Sequence, residues 1–181
     1  SLDKPHQFLK TFYIDDSIGG RFSVTSSVGL LVIGLVYGMP KVCEFLAGAR
    51  HADELSLCRD IKNNIPLMMA LNDIYEATFL GYKSLFVTPY SEGLSHFVPY
   101  FMQVYCESLG KSFDQFNQAL DFSTGRIVSG GTGSGVQHSV FQLFHQGPDP
   151  YSMLFLGVLN TDQDIDTNVF NSTYREGLLR N

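Results

Sequence analysis

The sequence feature that most constrains the fold is an alternation of short apolar segments with longer helical ones. The first apolar segment, 84–88, is a buried type of strand that ends at Pro89. Residues 126–128, Arg-Ile-Val, and the apolar segment 153–159 predict two further strands, and helical periodicity occupies the intervals between them. Because strands separated by helices usually pair in parallel, the sequence predicts an α/β fold, a three-layer αβα sandwich with a mainly parallel sheet.

The longest apolar run covers residues 28–39 and is followed by Pro40. A bilayer-spanning helix needs about 20 residues, so this run predicts the most buried helix of a soluble protein. Ser23 or Thr25 is the expected N-cap. Further helices are predicted at 40–47, where Gly48 closes the helix, and at 49–58, 66–80, 94–109, 136–146 and 169–180. Pro99 is expected to kink its helix or to shift its start.

Composition excludes several classes of protein. The 181 residues are 44% hydrophobic, which is incompatible with a disordered chain, and carry a formal net charge of −6. Twelve scattered basic residues do not form the patch that nucleic-acid binding requires. The cysteines, Cys43, Cys58 and Cys106, form no C-x-x-C pair, and no secretory signal is apparent. We therefore expect a reducing compartment, by default the cytoplasm, and no membrane partner.

Two segments carry side chains suited to acid–base chemistry. Arg21 follows Gly19 and Gly20, and a cation beside exposed backbone N–H groups can stabilise an anion or an enolate. Gln103 and Glu107 are four residues apart, on one face of the helix that follows the first strand, and the glutamate could act as a general base. We expect them beyond the carboxyl ends of the strands. The alternatives are a loop arginine in a surface ion pair and a solvent-facing glutamate.

The glycine-rich segment 129–135 leads to His138 at a loop-to-helix junction. The third glycine of the dinucleotide-binding G-x-G-x-x-G pattern is replaced by Val136, so a flexible turn is favoured over a nucleotide site. The imidazole of His138 could project into a cleft and transfer protons, and the alternative is a surface or capping histidine. His145 follows two turns later, but no acidic residue completes a metal set, so no metal site is expected.

Taken together, three segments resemble motifs of the glucose-6-phosphate isomerase family. Residues 15–23, DDSIGGRFS, are similar to its GGR-[FY]-[ST] signature. Residues 103–111, QVYCESLGK, resemble its Q-x(3)-E-S-x-G-K motif, and residues 137–147, QHSVFQLFHQG, resemble QH-x(3)-QL-x-HQG. The resemblance covers nearly the whole chain. It implies the sugar-isomerase (SIS) type of αβα fold, from the end of the first subdomain through much of the second.

The resemblance also implies a role for each candidate residue. Arg21 would stabilise an enediolate, Gly20 would contact the substrate and Gln103 would bind the sugar. Glu107 would move a proton between C2 and C1, interconverting glucose 6-phosphate and fructose 6-phosphate in glycolysis and gluconeogenesis. His138 would assist ring opening, reaching the site from the partner subunit of a homodimer. This chemistry needs a carboxylate base and a fixed positive charge, and no metal or other cofactor.

The sequence departs from the family pattern in two places. The family's GEPGTNGQH reads GGTGSGVQH here, so the loop 130–136 differs, and neither the family's phosphate-binding loop nor its C-terminal lysine segment occurs. We therefore expect an internal piece of an isomerase that is inactive alone. Residues 1–23 would form an N-terminal segment with the GGR loop, and residues 24–181 an SIS-like domain truncated at its C-terminus.

Two other classes of function are considered. A non-catalytic SIS module would bind a sugar phosphate without depending on Glu107 or His138. A purely structural or interaction domain would make the three ordered motifs a coincidence.

Overall fold

The computed structural model describes residues 10–159. Its centre is a three-stranded sheet in which both strand pairs are parallel, in the order β2-β1-β3, and this confirms the predicted α/β fold. The strands are β1 (Ser84–Pro89), β2 (Ile127–Gly130) and β3 (Ser152–Leu156). The α-helices are α1 (Ser27–Tyr37), α2 (Met39–Ser56), α3 (Ile65–Ile74), α4 (Phe97–Met102) and α5 (Gly133–Gln146). Shorter helical segments are the 3₁₀ helices Gly20–Thr25 and Glu92–Leu94 and the π-helical segments Tyr75–Phe79 and Gln103–Glu107.

Helices cover both faces of the sheet, which gives the three layers. On one face Leu85 and Val87 of β1 pack with Val128 of β2 and Val98 of α4, and this cluster is the hydrophobic core of that face. On the other face the ring of Phe86 lies edge-on to Phe144 of α5, with centroids 4.8 Å apart. Because β1 is central and covered on both sides, its sequence is a continuous apolar run rather than an alternating one.

The apolar run 28–39 forms α1, but α1 is not the most buried helix. None of its residues is buried, and Val32 and Leu35 are 60% and 78% exposed. Apolar residues surround the whole helix, whereas α1 packs on the short 3₁₀ helix Gly20–Thr25 and on α2, and Val42 is the one buried residue of α2. The prediction of a buried core helix is therefore wrong for the described residues.

The start of α1 also differs from the prediction. Ser26, and not Ser23 or Thr25, is the N-cap, and its hydroxyl accepts a hydrogen bond from the Val28 N–H at 3.3 Å. Among the described residues one helical stretch, Gly20–Tyr37, is long and apolar enough to cross a membrane, with a mean hydropathy of 1.4, but a core helix of a soluble protein passes the same test. Extended backbone at Ser26 (φ −95°, ψ −176°) interrupts this stretch. Its continuous α-helix has 11 residues, about 16 Å against about 30 Å of bilayer core.

Other boundaries follow from the positions of glycine and proline. Gly48 does not end a helix, because α2 continues through it to Ser56 as one element. Pro99 is the third residue of α4, where no N–H is required, so it shifts the helix start rather than kinking it. α5 begins at Gly133, earlier than predicted. The helix predicted at 169–180 lies outside the described residues, and the domain boundary after residue 23 stays a prediction.

Candidate active site

Arg21 and Glu107, which were singled out from separate motifs, are in contact. Arg21 Nη2 forms an ion pair with Glu107 Oε1, and Arg21 Nη1 donates a hydrogen bond to Ser108 Oγ at 3.1 Å. Arg21 and Ser108 are 87 positions apart, so the fold and not the local sequence brings these groups together. The Arg21 side chain is 26% exposed and that of Glu107 is 54% exposed, which leaves the pair accessible to a ligand from solvent.

Glu107 ends the π-helical segment Gln103–Glu107, which continues α4. Gln103 begins this segment, and both side chains are exposed, one helical turn apart, as the spacing predicted. The regular spacing predicted an ordinary α-helix here, but the structure has a π-helical turn. Such turns are rare in proteins overall, and those that occur are often at functional sites. Lys111 Nζ donates to the backbone carbonyls of Glu107 and Ser108, both at 3.0 Å, and so satisfies the carbonyls at the helix end.

Arg21 lies in the 3₁₀ helix that Gly20 begins. A Cβ added at Gly19 or Gly20 would meet no atom within 4 Å, and Gly19 has the ordinary φ of −65°. The backbone therefore does not require glycine at Gly19 or Gly20. The missing side chains leave open space beside the backbone that precedes Arg21, and a ligand could occupy that space.

The Arg21–Glu107 pair lies at the amino end of the sheet, not beyond the carboxyl ends of the strands as predicted. Cys106 Sγ lies 3.9 Å from the carbonyl oxygen of Arg126, the residue that precedes β2. A Cβ at Gly125 would lie 3.0 Å from Leu109 Cβ. A helix that follows β1 runs back antiparallel to it, so its last turn returns to the edge where β1 begins.

His138 lies in a different part of this chain. α5 begins at Gly133, just beyond the carboxyl end of β2, and packs through Phe144 on the sheet face opposite α4. His138 is the sixth residue of α5 and is exposed. Within residues 10–159 no hydrogen bond or ion pair joins it to Arg21 or Glu107. One chain therefore assembles the arginine, the glutamate and the glutamine, but not the histidine.

The glycine-rich segment before His138 is closely packed rather than a flexible turn. A Cβ at Gly130 would lie 1.9 Å from the carbonyl oxygen of Val87, and one at Gly133 would lie 2.6 Å from the ring of Tyr90. These positions need glycine because the backbone passes directly against β1 and the residue after it. Gln137 Nε2 donates to the Tyr90 hydroxyl at 2.8 Å, which links α5 to the end of β1.

A cluster of polar and charged side chains, which the sequence did not predict, lies on the inner side of the π-helical segment Gln103–Glu107. The Arg126 side chain, 3% exposed, forms ion pairs with Asp73 and with Glu76, the latter at 2.7 Å. Ser152 Oγ donates to Glu76 at 2.6 Å, and the Tyr105 hydroxyl donates to Asp73 at 2.7 Å. We call these five residues the Arg126 cluster. They come from separate elements, so no sequence motif could have predicted their contact.

The cluster shifts the pKa values of its members. Burial raises the pKa of the Tyr105 hydroxyl, and its hydrogen bond to Asp73 raises it further. Burial opposes the charge of Glu76, but hydrogen bonds from Ser152 and Arg126 outweigh it and hold the pKa of Glu76 below its ordinary value. Burial likewise opposes the charge of Arg126, and its hydrogen bonds to Asp73, Tyr105 and Glu76 leave the pKa of the guanidinium raised. The cluster therefore favours the ionised arginine and the ionised glutamate.

No candidate metal centre is found in the part of the chain that the structure describes: no three His, Cys, Asp or Glu side chains come together there. His145 lies in the last turn of α5, edge-on to Phe141 with ring centroids 5.8 Å apart. Cys43, Cys58 and Cys106 are all free thiols.

Fold and site together define a parallel α/β domain with a candidate acid–base pair at one edge of its sheet. The family model for phosphoglucose isomerase matches residues 7–180, and the chain belongs to this family.

Individual relatives agree with this assignment. The chain is 42% identical to glucose-6-phosphate isomerase of Borreliella afzelii over 96% of its length, and 40% identical to that of Desulfotalea psychrophila over 99%. It is similar to the crystal structure of a glucose-6-phosphate isomerase from Chlamydia trachomatis, with a TM-score of 0.82 and 39% identity over 85% of the chain. The chain spans about a third of the length of these relatives: 33%, 34% and 30%, respectively.

Proposed function

We propose that the protein carrying this chain interconverts glucose 6-phosphate and fructose 6-phosphate through a cis-enediolate. The observation that carries the proposal is the contact between Arg21 and Glu107. Aldose–ketose isomerisation by proton transfer needs a carboxylate base next to a fixed positive charge, and this pair supplies both. The relatives named glucose-6-phosphate isomerase support the choice of substrate. The reaction belongs to glycolysis and gluconeogenesis, and the free cysteines agree with a cytoplasmic location.

Each residue of the site has a role in this reaction. Glu107 takes the proton from C2 of the open-chain aldose, the C2–H electrons form the C1–C2 double bond, and the charge moves to O1. Arg21 stabilises that negative charge. Glu107 then delivers the proton to C1, the O2 hydroxyl proton moves to O1, and C2 becomes the carbonyl carbon. Gln103, one turn from the base, binds a sugar hydroxyl, and the open space at Gly20 admits the substrate.

His138 completes the site from the partner subunit of a homodimer, where it assists ring opening. Its place on the opposite sheet face from the Arg21–Glu107 pair supports this arrangement. The test mixes Glu107→Gln and His138→Ala proteins after dissociation and reassembly. Half of the resulting dimers are mixed and have one intact site, so we expect about a quarter of the wild-type activity. Activity that stays at the sum of the two parent variants would show that His138 acts within its own chain.

An assay that couples formation of glucose 6-phosphate to NADPH production tests the activity itself. We expect Arg21→Gln to lower kcat/KM by about 10²- to 10³-fold, because the enediolate loses its stabilising charge. Arg50→Gln is the matched control, since Arg50 forms an exposed ion pair with Glu54 on α2. Equal activities of the two variants, or no turnover by the wild type, would contradict the proposal.

We also expect the chain of 181 residues to be inactive on its own, because it spans only about a third of the length of the relatives named glucose-6-phosphate isomerase. The same assay on the isolated chain should give no turnover, and a rate near that of the intact protein would contradict this expectation. A sugar-phosphate-binding module without catalysis would instead bind fructose 6-phosphate equally well in the wild type and in Glu107→Gln, with no turnover by either.

A further inference from the structure

The Arg126 cluster is connected to the candidate base through Tyr105. Tyr105 and Glu107 belong to the same π-helical segment and are two residues apart, so they face different sides of the helix. The Glu107 side chain faces Arg21, whereas the Tyr105 side chain faces inward, with its ring 5.6 Å from that of Phe101 and its hydroxyl bonded to Asp73. The rotation of this segment about its axis therefore sets both contacts together.

The inner contact is anchored to elements that the sheet holds in place. Arg126 leads directly into β2, and Ser152 begins β3. Asp73 lies in α3, and Glu76 lies in the π-helical segment that continues it. The Tyr105 hydroxyl is thus linked, through the Asp73 carboxylate and the Arg126 guanidinium, to β2 and β3, the two strands that flank β1.

Two carboxylates and one hydroxyl hold the Arg126 guanidinium. Both terminal nitrogens of Arg126 bond to the carboxylates and the serine, whereas Nε is buried without a hydrogen-bond partner. A buried unpaired N–H is costly, so the bonds to Asp73 and Glu76 must offset that cost for the side chain to keep this orientation. These two carboxylates hold Arg126, and Asp73 in turn accepts the Tyr105 hydrogen bond.

The cluster borders a cavity of about 700 Å³ that also reaches Met68, Phe101, Leu109 and Leu154. The inner side of the π-helical segment Gln103–Glu107 is therefore incompletely packed. Apolar contacts alone would allow this segment to rotate about its axis. In such a place a single directed hydrogen bond has a large influence on the orientation of the helix.

We propose that Tyr105, held by the Arg126 cluster, is a positioning residue that orients Glu107 for proton transfer. This inference rests on the proposed function. An interaction that acts by orientation is realised in the transition state more than in substrate binding, so its loss should lower kcat and leave KM nearly unchanged.

The test is Tyr105→Phe, which removes one hydroxyl and keeps the ring. Tyr151→Phe is the matched control, because its hydroxyl donates to the Leu143 carbonyl at 3.0 Å, away from the cluster. We expect Tyr105→Phe to lower kcat about tenfold with KM within about twofold of the wild type. It should also weaken, about tenfold, the binding of a sugar-acid phosphate hydroxamate that mimics the planar enediolate. Tyr151→Phe should change neither quantity.

A merely structural role predicts a different result, namely a smaller amount of active protein with unchanged inhibitor affinity. That result, or equal kinetics of the two variants in an active enzyme, would overturn the positioning role and leave the proposed function intact. If the wild type itself fails to isomerise the sugar phosphate, the proposed function falls and this inference falls with it. Should Tyr105→Phe fold poorly, kcat is divided by the concentration of active sites titrated with the hydroxamate, so that only folded enzyme is counted, and the same kcat and inhibitor shifts decide.

Discussion

Replacing Arg126 by methionine removes a buried positive charge and keeps most of the apolar volume of its side chain. The guanidinium is 3% exposed, and its partners Asp73 and Glu76 are 23% and 19% exposed. The variant leaves two partly buried carboxylates without the cation that they share. Breaking one side of a buried charge pair in this way costs about 3–5 kcal/mol, a large fraction of the stability of a domain.

Amide hydrogen exchange of the strands measures this cost locally, without assuming that the whole protein unfolds in one step. Since each 1.4 kcal/mol is a factor of ten, we expect β1 and β2 to exchange about 10²- to 4 × 10³-fold faster at pH 7 in Arg126→Met. Arg50→Met is the control. The side chains of Arg50 and of its ion-pair partner Glu54 are 81% and 60% exposed, so the exchange rates should change by less than about threefold. Equal effects of the two variants would refute the reasoning.

The same comparison has a defined pH dependence. The folded-state pKa of Glu76 lies below its ordinary value of 4.5, so its interactions stabilise the wild type above that value. This stabilisation is lost as the pH falls through the lowered pKa. In Arg126→Met burial of Glu76 is no longer opposed by the guanidinium, and protonation relieves the repulsion from Asp73. The difference between the proteins should therefore shrink as the pH falls from 7 towards 4, and a constant difference would exclude an electrostatic origin.

Two further pairs of variants test the packing. Gly130→Ala places a Cβ 1.9 Å from the Val87 carbonyl oxygen and should lower the melting temperature by several degrees. Gly135→Ala, in open space within α5, should raise it slightly, and the opposite order would contradict the geometry. Asn64→Ala removes the α3 N-cap and two further hydrogen bonds of a buried side chain, and should cost about 2 kcal/mol in exchange measurements on α3. The exposed Asn63→Ala should cost less than about 0.5 kcal/mol, and equal costs would count against the cap.

The parallel pairing of the strands and the type of most elements followed from local pattern, whereas the strand order β2-β1-β3 did not. The apolar run at β1 and the periodicity of α3 each depend on residues that are close in sequence, so they were visible without a structure. The close packing of the glycines before α5 was not, because Gly130 and Gly133 lie against β1 and Tyr90. The extent of α2 was not visible in the sequence. A glycine often ends a helix, but Gly48 is tolerated inside α2 because the residues on both sides of it are helical. Burial of α1 was predicted wrongly, since hydropathy does not say which apolar surface finds a partner.

The candidate site was visible only in part. The motifs containing Arg21 and Glu107 could be recognised one at a time, but their contact, and its place at the amino end of the sheet, depend on the path of the chain through the fold. Ser108 lies within a recognised motif, but the motif did not indicate a role for it. In the structure its hydroxyl accepts a hydrogen bond from Arg21. The Arg126 cluster had no sequence signal, because a lone arginine before a strand looks like any other surface cation.

The central claim is that Glu107 is the base, and exchange of the substrate C2 proton with solvent tests it most directly. The protein carrying this chain is incubated with glucose 6-phosphate in D₂O, and deuterium at C2 is followed by NMR. We expect Glu107→Gln to abolish incorporation, while Glu54→Gln, which loses an exposed carboxylate paired with Arg50, exchanges at the wild-type rate. Exchange that persists in Glu107→Gln at the rate of Glu54→Gln would contradict the assignment of the base.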